Sequence, residues 1–589
     1  AGVPHVITQS CCGDGSCVYA CPVNCIHPSP DEPGFATAEM LHIDPVACVD
    51  CGACVSACPV SAILPDTRLT VEQLPFIEVN AAYYPNRPEG KLPLIPKLAP
   101  VLPAPRVRGG RAPLTVAIVG SGPAGMYAAD ELLTQRGVRV NVFDKLPSPY
   151  GLVRAGVAPD HQGTKSITRL FDRVSRQAGF FYYLNVEVGQ QVSHAELLDH
   201  HHAVLYAVGA SGDRRLDIDG MGMPGTGSAT DFVAWINGHP HFSRRDVEMG
   251  HHRVVVIGNG NVALDVARIL TADPASLAQT DICDIALQEL SHSAVGEVVV
   301  AARRDPRASA FTLPELIGLT CSANVVLSAE DRDLVHRDLA ITPDPVTLAK
   351  LRILAALPDA AAATGGPRIR LAYRLTPQRI IGTDRARRIE FIRTGTDETV
   401  GLDAAWVLTA IGHRGAPVPG LPFDEAAAVI PNRAGRVIDP ATGRPVTGAY
   451  VAGWIKRGPT GFIGTNKSCA MHTVATLVED FNDGLLNDPR ERPAALESLV
   501  RARQPDVVDI TDWQVIDAVE IGRGEALGRP RIKFTAVPDM LAVAAEARSR
   551  PKARLRGLRN RLGGLVSGRH RRGDREDGPA KSAGTTGVR

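Results

Sequence analysis

Residues Thr115 to Leu133 read TVAIVGSGPAGMYAADELL, and this stretch decides the fold. An apolar run, Val116 to Val119, ends in Gly120-x-Gly122-x-x-Gly125, and a helical run follows. In a dinucleotide-binding fingerprint the first glycine permits the tight turn, the second lets backbone approach a pyrophosphate, and the third lets helix and strand pack closely. Pro123 and Ala124 open the helix, whose free N–H groups and dipole favour an anion. The next strand, Val140 to Phe143, ends at Asp144 and Lys145. An acid at this distance suits ribose hydroxyls. Strand, turn, helix and acid in this order predict an α/β nucleotide-binding domain, and we read it as the site of a flavin dinucleotide.

A second fingerprint follows Val254 to Ile257: Gly258-Asn259-Gly260-Asn261-Val262-Ala263. Its next strand, Glu297 to Ala302, ends not in an acid but in Arg303-Arg304. Paired guanidinium groups suit a 2′-phosphate where an acid would suit the free hydroxyls of NAD, so this site is read as one for NADP(H). The polar stretch from Thr271 to Gly296 reads as a surface insertion.

At 589 residues the chain has room for about three or four domains. A formal net charge of +1 gives no argument for nucleic acid or a membrane surface, and neither is expected as a partner. No apolar run reaches 18 residues, so no membrane-spanning helix is predicted. The opening AGVPHVITQS shows no signal-peptide pattern, and a cytoplasmic location is expected.

Nine of the 12 cysteines precede Leu64; Cys283, Cys321 and Cys469 read as small buried hydrophobes. A dense thiol cluster in a reducing compartment points to metal. The run Cys48-x-x-Cys51-x-x-Cys54-x-x-x-Cys58-Pro59 is an iron–sulfur signature whose fourth cysteine serves the other cluster. A second Cys17-x-x-x-Cys21-Pro22 unit completes the exchange. Cys48, Cys51, Cys54 and Cys21 are thus assigned one [4Fe–4S] cluster. Cys11, Cys17 and Cys58 form the second set, with Asp14 where a middle cysteine would stand. That site is read as a [3Fe–4S] centre, or as a [4Fe–4S] cluster with Asp14 as a hard fourth ligand. Cys12 is off the required spacing by one, and Cys25 is read as a neighbour rather than a ligand. Over residues 3–65 the chain resembles bacterial seven-iron and eight-iron ferredoxins. Prolines recur from Pro65 to Pro113, which predicts an extended, semi-rigid linker.

The segment Pro149-Tyr-Gly-Leu-Val-Arg-Ala-Gly-Val-Ala-Pro-Asp-His161 is rich in glycine and proline and reads as an ordered loop. Here, and at Ala449 to Gly461 (AYVAGWIKRGPTG), the chain resembles ferredoxin–NADP reductases of the adrenodoxin-reductase type. The resemblance implies that Gly151, Leu152 and Val153 line the isoalloxazine, with Asp160 and His161 near its reactive edge. It also implies that Trp454, Gly461, Phe462 and Ile463 lie against the flavin and that Glu315 faces the nicotinamide nucleotide. Pro314, beside Glu315, departs from the helical residue expected there.

The expected architecture is two Rossmann-like, three-layer α/β domains preceded by an α+β ferredoxin-like domain. The segments are 1–65 (two clusters), 66–111 (linker), 112–210 and 416–547 (FAD), 211–415 (NADP, inserted between them) and 548–589 (a basic, disordered tail). From Arg550 onward 12 basic residues face 3 acidic ones. The expected activity is that of an NADPH:ferredoxin oxidoreductase, with FAD, NADP(H) and two iron–sulfur clusters as cofactors. Its partner would be an external ferredoxin or another one-electron acceptor, docked on Lys456-Arg457 or the tail; a monomer is expected. Two alternatives are a glutamate-synthase-like small subunit feeding a partner subunit, and an iron–sulfur redox sensor.

Overall fold

In a computed structural model of the chain, residues 4–84, 98–101, 103–109, 113–242, 249–361 and 365–549 are described. The basic tail from Arg550 and the linker stretch 85–97 lie outside them.

The strand Thr115–Val119 is buried at every position, as a strand covered on both faces must be. It lies in a seven-stranded sheet, flanked in parallel by Arg139–Asp144 and Ala203–Tyr206. Pro445–Val451 runs parallel beside Ala203–Tyr206, with Tyr450 opposite Leu205, so two distant chain segments share one sheet. One face is covered by the helices Pro123–Leu133 and Thr465–Asn482, the other by packing that includes Leu197, Leu496 and Val500.

Between these segments the chain builds a second, six-stranded parallel sheet. Its order is Thr226–Ser228, Trp406–Thr409, Arg253–Ile257, Glu297–Ala301, Arg368–Ala372 and Val325–Leu327. Helices cover one face, and an antiparallel three-stranded sheet covers the other. The outgoing and returning chains pair with each other, Gly212–Asp213 against His413–Arg414. The fold is therefore the expected pair of three-layer α/β units, the second inserted in the first.

Two short helices, Ser16–Ala20 and Ala53–Ala57, carry the N-terminal unit. Each is preceded by a left-handed glycine, Gly15 or Gly52, and followed by Cys21 or Cys58. Strand pairs His5–Ile7 with Ile63–Pro65 and Ile26–His27 with His42–Ile43 frame them. Its core includes Leu313 and Ile317 from the second α/β unit, so the ferredoxin-like unit shares packing with the body.

Four expectations about local structure are corrected. Residues 66–84 are not extended linker: they form two 3-10 turns and the helix Pro75–Ala82. Pro75 sits in the helix's first turn, where a missing N–H costs nothing. Asn80 is buried and its amide bonds the backbone of Ile7 and Ile43, tying this helix to the ferredoxin-like unit. The stretch Thr271 to Gly296 is not a surface insertion. Its helices Pro274–Leu277 and Asp284–Ser291 bury Leu277, Ala286 and Leu290 in the core. Its polarity misled because Asp281, buried there, is paired. Pro314 does not break its helix; it lies in the first turn of Leu313–Ser322, behind the N-cap Thr312. Cys283 and Cys469 are buried, but Cys321 is exposed. No helix among the described residues is long and apolar enough to cross a membrane.

Candidate functional site

The two glycine loops are built alike. Gly120 has φ +103, and a Cβ there would lie 2.4 Å from the Ala207 carbonyl oxygen; at Gly258 φ is +110 and the clash is with Ala410 at 2.3 Å. A Cβ on Gly122 or Gly260 would meet nothing, leaving open space over each helix start. Neither helix, Pro123–Leu133 nor Asn261–Thr271, has a side-chain cap, so its first N–H groups face that space. This is a cradle shaped for a diphosphate. A Cβ on Gly125 would lie 1.9 Å from the Gly120 oxygen, whereas Ala263 is fully buried with its methyl.

Asp144 holds the first loop: its carboxylate accepts from Ser121 N–H (2.9 Å), Ser121 Oγ (2.5 Å) and Leu146 N–H (3.0 Å). Lys145 beside it is exposed. Three segments converge on this loop. Tyr150, at φ +82, donates its N–H to Ser121 O, and a Cβ on Gly151 would come within 3.2 Å of Gly122 Cα. Val153 anchors this segment in the core, while Leu152 is 41% exposed. A Cβ on Gly453 would lie 2.6 Å from Ala124 Cβ, which sets the start of the Trp454–Arg457 turn against the helix opening. Trp454 donates Nε1–H to Thr460 O across the loop that carries Gly461, Phe462 and Ile463.

At the second loop Asn261 Oδ1 accepts from Thr312 N–H, and Asn259 Oδ1 from Ala310 N–H. Val262 packs at the edge of the helical core. Arg303 and Arg304 are exposed, and among the described residues no ion pair engages either guanidinium. Their carbonyl oxygens are fixed by Thr394 and Arg374.

An ionic centre joins the two units. Arg268, on the second loop's helix, donates to Asp160 through Nε (2.6 Å) and Nη2 (3.0 Å) and to Asp265 (2.7 Å). Burial alone would raise the Asp160 carboxyl, but the Arg268 guanidinium outweighs it and holds the group below the usual range. Glu315 Oε2 lies 3.9 Å from both His161 Nε2 and Arg268 Nη1. Burial pushes Glu315 up despite the opposing pull of His161. Asp160, His161 and Glu315, singled out by resemblance, are thus brought together; Arg268 was not, although Asp265 and Arg268 stand three apart on one helix.

A second buried network has no counterpart in any sequence pattern. Lys165 and Lys533 share the Asp281 carboxylate, at 2.8 and 2.9 Å, and both ammonium groups reach Asn237 Oδ1. Burial pushes Lys533 down to about 7. Next to it Arg154 makes a two-pronged pair with fully buried Glu520. Lys456 and Arg457 do not form a docking patch: both are partly buried, and their heads bond Thr473, Thr460 and Asn466 within the fold.

In the N-terminal unit Cys21, Cys48, Cys51 and Cys54 line one cavity with His5, Cys25 and Ile43. The Cys25 thiol lies 3.4 Å from Cys21 Sγ, and its S–H draws Cys21 down to about 6 and Cys48 to about 5. Cys11, Cys17 and Cys58 form the other group with Asp14, and burial pushes Cys11 up to about 11. All 12 thiols are free of disulfides, and soft thiolates in two sets fit iron–sulfur clusters. Cys12 instead packs into the flavin-side core, and its carbonyl accepts from Gly464 N–H at 2.8 Å. Asp14 accepts from Ser16, and Lys467 Nζ lies 3.3 Å from its carboxylate. The Cys11–Cys17 loop is therefore seated directly on residues 463–467.

The family profile described as "Pyridine nucleotide-disulphide oxidoreductase" matches residues 114–305, and "4Fe-4S dicluster domain" matches residues 10–62. The chain is 67% identical over 565 residues to the "Probable ferredoxin/ferredoxin--NADP reductase" of Mycobacterium tuberculosis strain H37Rv, spanning 94% of this chain and 98% of that protein. It is 40% identical over 457 residues to the "NADPH-ferredoxin reductase FprA" of the same organism, spanning 73% of this chain and 99% of that one. The solved structure "Mycobacterium tuberculosis FprA in complex with NADPH" superposes with a TM-score of 0.69 at 39% identity, spanning 74% of this chain and 100% of that chain.

Proposed function

The chain belongs to the family of ferredoxin/ferredoxin–NADP reductases, and from that premise we propose that it passes electrons from NADPH to iron–sulfur acceptors, its own and those of an external ferredoxin. When bound, the flavin supplies the conversion between hydride and single-electron chemistry. The chain's residues do the rest. Gly120, Gly122, Pro123, Ala124 and Gly125 hold the FAD diphosphate, Asp144 and Lys145 border its ribose, and Gly151 to Val153, Trp454 and Gly461 to Ile463 flank its ring. Gly258 to Ala263 hold the NADPH diphosphate, and Arg303 and Arg304 take its 2′-phosphate. Asp160 fixes Arg268 across the seam, while His161 and Glu315 position the nicotinamide end and hold a proton there.

Cys21, Cys48, Cys51 and Cys54 would hold a [4Fe–4S] cluster; Cys11, Cys17 and Cys58, with or without Asp14, would hold a [3Fe–4S] or [4Fe–4S] cluster. The FAD unit comprises 112–210 and 416–547, the NADP unit 211–415, and the cluster unit extends to residue 84. A monomer is proposed, because all three units meet within one chain. A reducing, cytoplasmic location is proposed with it, supported by crowded cysteines that form no disulfide.

The observation that carries this reading is the seating of the Cys11–Cys17 loop on residues 463–467, through Cys12 O to Gly464 N–H. The test is anaerobic reduction of an external ferredoxin by the purified full chain, with NADPH and with NADH. NADPH should win by about 100-fold, from two charge-assisted contacts to the 2′-phosphate. Equal rates with both nucleotides, or none, would refute it.

A further inference from the structure

The strand His5–Ile7 of the ferredoxin-like unit continues into Thr8, Gln9 and Ser10, which reach into the body. Gln9 Nε2–H donates to Glu315 Oε2 at 3.2 Å. This is the oxygen that lies 3.9 Å from His161 and from Arg268. Among the described residues no other side chain donates a hydrogen bond to that carboxylate. The contact is tight on both sides. A Cβ on Gly318, one turn beyond Glu315, would lie 2.2 Å from Gln9 Nε2, and one on Gly163 would lie 2.6 Å from Ser10 Oγ. Gly163 belongs to the helical turn just after His161. The strand end is thus wedged between the segments that carry His161 and Glu315.

We propose that Gln9 is a positioning residue for the hydride-transfer seam: by donating to Glu315 it fixes that carboxylate opposite His161 and Arg268, so that docking of the ferredoxin-like unit completes the reductase's own site. The inference rests on the assignment of this seam to the nicotinamide end. Glu315 is faced by His161 from the flavin-side loop, by Arg268 and Asp265 from the nucleotide-loop helix, and by Asp160 through Arg268. Burial raises its carboxyl, and the Gln9 amide is one of the groups that oppose this. Without that donor Glu315 takes up a proton at higher pH, and its hold on the facing cations weakens.

The test uses the full-length, cluster-loaded protein. Gln9→Glu and Gly318→Ala are compared with wild type by stopped-flow bleaching of the flavin with NADPH across pH, and by the split of kcat and KM with ferricyanide. Gln9→Glu should slow bleaching about tenfold, the worth of one hydrogen bond to a charged group. The acidic limb of its pH profile should move upward, and kcat should fall more than KM changes. Gly318→Ala displaces the Gln9 amide from the other side while leaving the sequence of the N-terminal unit unchanged. It should act in the same direction while the thermal midpoint holds or rises, since alanine favours the helix. Bleaching and pH profiles indistinguishable from wild type in both variants would overturn this inference alone. A wild-type flavin that NADPH does not bleach would overturn the proposed function and this inference with it.

Discussion

The two glycine loops share a plan and differ in three places, and the differences sort their tasks. Position for position, Gly120 and Gly258 turn the chain against a neighbouring strand's carbonyl in the same way. Gly125 has no room for a methyl, while Ala263 carries one in the core. The strand after the first loop ends in Asp144, turned back on its own loop; the strand after the second ends in two exposed arginines outside any ion pair among the described residues. Ten residues beyond the first glycine stand Asp130 in one and Arg268 in the other. Among the described residues Asp130 accepts a hydrogen bond from Gln177 and forms no ion pair, but Arg268 gathers Asp160, Asp265 and Glu315. The first loop is an anchor. On the proposed reading the second selects its nucleotide, and its helix carries the charge that joins the two units.

The comparison breaks hardest at Arg268. Arg268→Gln leaves three carboxylates without their cation, a loss of about 3–5 kcal/mol. The denaturation midpoint should fall, and NADPH should reduce the flavin poorly. Gly125→Ala should cost about 3 kcal/mol, because backbone oxygen cannot step aside from the new methyl. The purified variant should lose flavin, read as the absorbance ratio of flavin to protein. Replacing Arg303 and Arg304 together by alanine should weaken NADPH binding about 100-fold and leave NADH unchanged. Equal weakening of both would remove these arginines from selectivity.

The seam can be probed by pH. Burial holds Lys533 near 7 in the native chain against an ordinary 10.5. Between those values the unfolded chain binds the extra proton, so stability rises with pH, by at most about 1.4 kcal/mol per unit. Lys533→Met should lose that rise in denaturation curves between pH 7 and 9. The smallest effect is expected from Ala263→Gly, about 1 kcal/mol of helix stability, with NADPH binding kept.

What was legible in the sequence was local and periodic. Both glycine loops and the thiol spacings stand out because each chemistry demands fixed residue types at fixed intervals, and the paired arginines are read as a phosphate site on the same ground. The helix Pro75–Ala82 goes against the expected extended linker because recurrent proline favours extended chain, whereas Pro75 stands in a helix's first turn and opens it. Thr271 to Gly296 was misread because a buried charge looks like a solvated one until its partners are known. Asp281 meets Lys165 and Lys533, residues far apart in the chain, and no spacing rule foretells that. Gln9 and Glu315 are likewise 306 positions apart. Only the docking of one unit on another makes them neighbours.

On the proposed reading, the nucleotide sites and the thiol clusters work as one path within a single chain. Its most direct test is an anaerobic titration of the full-length protein with NADPH, followed by visible absorption and EPR. The flavin should bleach and the EPR signals of the iron–sulfur clusters should change in the same titration. A flavin that bleaches fully while both clusters stay oxidised would contradict it.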